Sequence, residues 1–304
     1  MKAKNTFALV LALSLIFPFA FTACSNEDDP NQGVIYADEL NYEAFVVGSS
    51  LSASGISYQE EKNVYKLEEK TDSSLPQTAT LTINGFTLEG TYTHSEKIFP
   101  HIFYKHIYHS ADGLYEFSLD DSGQLLTLFI FTNSGKIDAN ITKELTEEAC
   151  LEIAKDFILN TVSAKVDLDE YTISKVKESN DRYTFEFKKY INGFATMDET
   201  RVGVLKNGSV YSYNATMFGR ISADDMPKLN QEKITQTIEK KLDTIYQDVR
   251  GKYAAVKYED PELCFALLDD GTPAVYCEVS VRFEDGKGGS FGEMVSMIIT
   301  TKPT

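Results

Sequence analysis

After residue 39, apolar and polar positions alternate in short runs for about a hundred residues, the period expected of half-buried strands. Thr78-Ala79-Thr80-Leu81-Thr82-Ile83 and Phe86-Thr87-Leu88-Glu89-Gly90-Thr91 flank Asn84-Gly85. That dipeptide supplies the two positive-φ residues of a type I′ turn, so a hairpin is expected there. Further strands are expected over 103–108, 114–119 and 125–131, separated by Ala111-Asp112-Gly113 and Asp120-Asp121-Ser122-Gly123. These turn clusters mark an antiparallel meander.

The period then changes. Leu145, Ala149, Ile153 and Phe157 recur every fourth residue with Cys150, Ala154 and Ile158 beside them, which gives a helix one apolar face. Thr146 is placed to cap it, and Glu147 and Glu148 suit the positive end of its dipole. Strands follow over 171–176, 182–191, 201–205 and 210–213, with turns at Asn192-Gly193 and Asn207-Gly208. The same order then recurs. Asn230 can cap a helix with the stripe Ile234, Ile238, Leu242, Ile245 and Val249, and Leu229 can staple onto Ile234. Strands are expected again over 253–258, 263–268, 275–283 and 293–299.

The tetrapeptide Ile-Asn-Gly-Phe occurs at both Ile83–Phe86 and Ile191–Phe194, but only the second copy follows a helix. The apparent repeat is therefore the unit opened by Thr146 and again by Asn230, 84 positions later. The expected fold class is α+β. A β-rich N-terminal region (39–140) is followed by two tandem helix-on-antiparallel-sheet modules (141–220 and 221–304).

The first residues read differently. Lys2 and Lys4 precede an apolar run from Phe7 to Phe21, too short to span a bilayer and suited to the h-region of a secretory signal over 1–23. It ends in Phe21-Thr22-Ala23-Cys24, which resembles the lipobox of bacterial lipoproteins. That resemblance implies cleavage before Cys24 and a diacylglycerol on its thiol, with palmitate among the acyl chains. Residues 24–38, opening Ser25-Asn26-Glu27-Asp28-Asp29-Pro30, would then be an acidic tether, similar to the export signal of surface lipoproteins. The expected location is the cell envelope, with the membrane as a partner through the lipid. The formal charge of −17 repels nucleic acid, so no nucleic-acid partner is expected.

Thr146-Glu147-Glu148-Ala149 with Ile153-Ala154, then Tyr190-Ile191-Asn192-Gly193-Phe194, Val202-Gly203-Val204 and Asn207-Gly208-Ser209-Val210, resemble PepSY-type domains, relatives of thermolysin propeptides. The likeness covers Thr146 to Asn214 and is weaker in the second unit. It implies a helix packed on a sheet and a role in holding or inhibiting a peptidase, or in envelope regulation. It carries over no site residue.

Candidate chemistry is sparse. His94, His101, His106 and His109 fall in one stretch, and histidine is a common metal ligand. In an extended strand, however, His106 and His109 point to opposite faces, and no cysteine or H-E-x-x-H pattern accompanies them, so no metal site and no cofactor is expected. Asp120-Asp121-Ser122-Gly123 and Asp269-Asp270-Gly271 lack the spacing of a calcium loop and read as turns. A two-residue turn at Asp270-Gly271 would set Cys264 opposite Cys277, in an exported chain where a disulfide can form. Two packed thiols are the alternative. Cys150 reads as a small buried hydrophobe. Nucleophile-elbow, phosphate-loop and dinucleotide-binding patterns are absent from the sequence.

The function expected from these readings is non-enzymatic, with protein interaction or regulation of an extracytoplasmic peptidase as the role. A carbohydrate- or ligand-binding lipoprotein is the alternative, resting on an aromatic strand face formed by Tyr104, His106 and Tyr108 opposite Phe103 and Ile107.

Overall fold

The structure is a computed structural model and describes residues 41–49, 67–97, 103–137, 144–163, 166–268 and 270–302. The expected signal segment, the tether with Cys24, His101 and Asp269 lie outside the described residues. The strands are β1 (Asn41–Ser49), β2 (Glu68–Lys70), β3 (Thr78–Ile83), β4 (Phe86–Lys97), β5 (Lys105–His109), β6 (Tyr115–Leu119) and β7 (Leu125–Ile130). Helix α1 (Glu147–Phe157) precedes β8 (Tyr171–Ser179), β9 (Arg182–Ile191), β10 (Phe194–Leu205) and β11 (Val210–Ala215). Helix α2 (Gln231–Tyr246) precedes β12 (Ala255–Tyr258), β13 (Glu262–Leu267), β14 (Pro273–Glu284) and β15 (Ser290–Lys302).

Local chemistry explains the elements. Asn84 and Gly85 have φ of 52° and 76°, and Asn192 and Gly193 have 53° and 76°. Both Asn-Gly pairs thus supply the two left-handed residues of a tight hairpin turn, where glycine and asparagine are least strained. Helix α1 starts where the Thr146 hydroxyl accepts from the Ala149 amide, and α2 where the Asn230 carboxamide accepts from Lys233. Each helix lies on the sheet by its apolar stripe. Cys150, Ala154 and Phe157 of α1 face β9, β10 and β11, and Ile234, Ile238, Leu242 and Tyr246 of α2 lie buried in the core beneath β1 and β15. Each aliphatic side chain buried in this way contributes about 2 kcal/mol.

The way these elements assemble corrects the expected fold class. An N-terminal β-rich region followed by two helix-on-sheet modules is not what forms; the strands join into one large mixed sheet. Its first part runs β8-β9-β10-β11-β7-β6-β5-β4, every neighbour antiparallel, with β3 and β2 along β4. The edge that a separate α1 module would leave open, β11, pairs instead with β7: Ser212 lies opposite Phe129, and Asn214 opposite Thr127. At the far side, β1 pairs with β15 along its length, so a strand from the start of the described chain closes a sheet of C-terminal strands. Strand β10 joins the two parts, its Thr196 bridging in parallel to Phe265 of β13. The physical reason is edge satisfaction. An open strand edge carries unpaired amides and carbonyls, and pairing the edges of neighbouring units removes that liability.

Sheet register also corrects the β13–β14 hairpin. Cys264 lies opposite Tyr276, and Leu263 opposite Cys277. The Leu268 amide bonds the Thr272 carbonyl, and of the described turn residues Gly271 takes a positive φ, 78°, while Asp270 does not. A three-residue connection with one left-handed glycine replaces the two-residue turn and shifts the pairing by one position.

Candidate functional site

Strands β2, β4 and β5 pair side by side, and their two faces carry different chemistry. On the inner face Ser95 of β4 lies opposite His106 of β5. The Ser95 hydroxyl is 2.8 Å from His106 Nδ1, and His106 Nε2 is 2.9 Å from the Asp121 carboxylate in the β6–β7 turn. Tyr92 OH lies 2.8 Å from Ser95 Oγ, and the Asp72 amide donates to Tyr92 OH at 3.2 Å.

One proton arrangement satisfies every member. With the ring N–H on Nε2 donated to Asp121, His106 accepts at Nδ1 from Ser95, which accepts from Tyr92, which accepts from the Asp72 amide. The order serine, histidine, aspartate is that of a nucleophilic triad. Ser95, however, is wholly buried and its hydroxyl is occupied on both sides by Tyr92 and His106. A nucleophile must reach a carbonyl carbon. This chain is closed, and its chemistry is the satisfaction of buried polar groups.

Sequence reasoning missed this alignment because Ser95 sits in no nucleophile motif. A β-bulge between Tyr92 and His94 also sets its register against β5, and no local pattern shows that shift. The expected turn at Asp120–Gly123 is present: Asp120 accepts from the Ser122 amide and hydroxyl and from the Gln124 amide. Burial pushes its carboxyl up, but these bonds and the Arg220 guanidinium outweigh burial and hold it below the usual range. Arg220 also lies over the Phe103 ring, 4.1 Å from its centre.

The histidines are dispersed. His106 points inward, His109 pairs with Glu116 at 2.8 Å, and that hydrogen bond raises the His109 pKa. His94 is on the other face of β4 with Glu96, and Glu69 of β2 lies opposite Glu96. One ligand atom from each of Glu69, His94 and Glu96 lies within 4.8 Å of the others, a grouping the sequence reading did not see. The expected aromatic face is also redistributed. Tyr108 is buried with its ring 5.5 Å from that of Phe117, and Tyr104 precedes β5, its hydroxyl on Glu68 and its ring under Lys70.

A second polar cluster sits where the two parts of the sheet meet. Lys188 Nζ reaches Glu262 at 2.9 Å, Glu199 at 3.5 Å and Cys264 Sγ at 3.7 Å. Burial pushes the Cys264 thiol up to about 12 and raises the Cys277 thiol as well, so neither is a ready thiolate. Both are free thiols, as is Cys150, which is fully buried on α1. Nearby, Asp198 lies in the interruption of β10 pairing between Ala195 and Glu199. It accepts from Tyr171 OH at 2.7 Å, Gly219 N at 2.8 Å and Ile221 N at 3.3 Å. Burial nonetheless raises its pKa.

Residues 100–216 match a family model described as the YcdB, YcdC repeated domain, and the chain is similar to that family over this span. The span runs from the approach to β5 to the end of β11, across the change of period near residue 140. It therefore takes in both partners of the β7–β11 pairing. Its description names neither a PepSY domain nor a lipoprotein. No curated protein and no solved structure matches the chain.

Proposed function

We propose that the protein is a lipid-anchored, non-enzymatic protein of the cell envelope that works by protein–protein contact, with an extracytoplasmic peptidase as its class of partner. The observation that carries the non-enzymatic reading is the closed chain at Ser95. The one serine–histidine–aspartate alignment among the described residues has no hydroxyl free to attack. The lipobox-like run ending at Cys24 supports the anchor, and the acidic charge supports a solvated extracytoplasmic surface.

A contact surface is available. Phe129 and Phe131 are 44% and 48% exposed, with ring centres 4.9 Å apart. Exposed aromatic pairs of this kind serve as anchors at protein interfaces. The carbohydrate-binding alternative loses its support, because His106 and Tyr108 are buried.

Thermolysin-type metallopeptidases from the same envelope, assayed with the full chain, should be inhibited. Phe129→Ser with Phe131→Ser should relieve the inhibition while leaving the thermal midpoint unchanged. Absence of inhibition across these peptidases would remove the partner class. Labelled palmitate should enter the wild-type chain and not Cys24→Ala.

A further inference from the structure

We propose that Glu69, His94 and Glu96 form a binding site for one divalent transition-metal ion of the zinc type. The three ligand atoms lie within 4.8 Å of one another, with His94 Nε2 3.9 Å from Glu96 Oε2. Ligands at about 2.0–2.2 Å around a tetrahedral ion sit roughly 3.4 Å apart, so modest side-chain rotation closes the site and leaves a fourth position for water.

Surrounding contacts set the ligands up. The Thr93 hydroxyl donates to the Ile107 carbonyl at 3.2 Å, so it meets His94 Nδ1, 3.1 Å away, as an acceptor. With a single proton on the ring, that arrangement places it on Nδ1 and leaves Nε2, the atom nearer the carboxylates, free to ligate. An oxygen holding the remote N–H of a ligating imidazole is the usual outer support of a metal-bound histidine. Glu96 is held likewise: Lys105 Nζ binds Oε1 at 2.6 Å, and Oε2 is the atom turned to His94.

Charge argues the same way. Glu69 and Glu96 are direct cross-strand partners, and like charges so opposed destabilise a strand pair. Among the described residues the Glu69 carboxylate has no hydrogen bond or ion pair to offset this. A bound cation removes the repulsion and fastens three-residue β2 to β4. An imidazole between two carboxylates suits zinc better than calcium, which takes six to eight oxygens.

The full chain, stripped with a chelator and titrated with Zn2+ against a chromophoric competitor, should take up one ion. Affinity should fall at least about tenfold in His94→Ala, Glu69→Gln and Thr93→Val, and stay unchanged in His109→Ala. Ca2+ at the same concentration should not bind. Glu69→Gln removes the cross-strand repulsion, so its metal-free melting midpoint should lie at or slightly above that of the wild type, and Zn2+ should raise the midpoint of the wild type only. No stoichiometric Zn2+ uptake, unaltered affinity in Glu69→Gln and His94→Ala, or equal uptake of Ca2+ would overturn the proposal.

Discussion

The side-chain amide of Asn84 donates to the Val210 carbonyl at 2.8 Å, and its oxygen accepts from the Val210 amide at 3.0 Å. Two residues further along β11, Ser212 still pairs with Phe129 of β7, whose next odd residue, Phe131, turns away to bond Leu114. Asn84 thus takes over the ladder where β7 leaves it. A hairpin turn 126 residues distant in sequence supplies the missing strand position.

Asn84→Ala should therefore cost more than a surface turn. Two hydrogen bonds at about 1 kcal/mol each are lost, and alanine is strained at positive φ by roughly another 1 kcal/mol. Asn84→Asp separates the effects, because it keeps the turn preference and the acceptor but sets a carboxylate oxygen against the Val210 carbonyl. Urea denaturation should show both variants less stable, Ala by about 2–3 kcal/mol. Wild-type stability in Asn84→Asp would mean that the clamp contributes nothing.

That clamp also shows how much of the fold could be read from the sequence. The Asn84-Gly85 turn, the caps at Thr146 and Asn230 and most of both helix stripes are local, written within a few residues, and are present, although Leu145 precedes α1 and Val249 lies beyond the end of α2 at Tyr246. The pairings of β11 with β7 and of β1 with β15 join segments far apart, and alternation alone does not choose a partner for an edge. The polar chain at Ser95 was hidden for a related reason. It depends on a bulge that rotates one position of β4 toward β5.

Cys264 and Cys277 project from opposite faces of the β13–β14 hairpin, since each faces a different residue of the partner strand. Bonding them requires one strand to slip by one residue against the other, which would turn either Phe265 of β13 or Val279 of β14, both buried, to the opposite face of the sheet. Unreduced protein, unfolded and alkylated, should carry a label on both cysteines, and in the native state both should resist labelling. An intact mass short by two hydrogens, with both sites unlabelled, would contradict this register.

At Asp198 burial raises the folded pKa above the ordinary 3.8. Between those two values the native chain keeps a proton that the unfolded chain has lost, so this contribution is complete below 3.8 and lost as pH rises through the folded value. Wild type should thus lose stability relative to Asp198→Asn on going from about pH 4 to about pH 7. Urea midpoints at several pH values test it. A difference that stays flat, or that grows in favour of wild type with pH, would mean that the three donors to Asp198 outweigh its burial.

Gly90 occupies a close crossing of β4 over the core. A Cβ built there lies 2.7 Å from Tyr108 Cβ and 2.9 Å from Phe117 Cε1. Both neighbours are buried, and their rings are stacked, so neither can swing aside as a surface side chain would. The demand is for space and not for an unusual φ, since Gly90 is not among the left-handed glycines. Gly90→Ala should destabilise by about 1–3 kcal/mol through displacement of packed rings. It should leave the Asn84 clamp intact, because that contact lies at the opposite end of the hairpin. Combining Gly90→Ala with Asn84→Ala should therefore give nearly additive losses in denaturant midpoint. An unchanged Gly90→Ala midpoint would show that β4 can lift off the Tyr108–Phe117 stack without loss, and so that the stack does not fix the path of this strand.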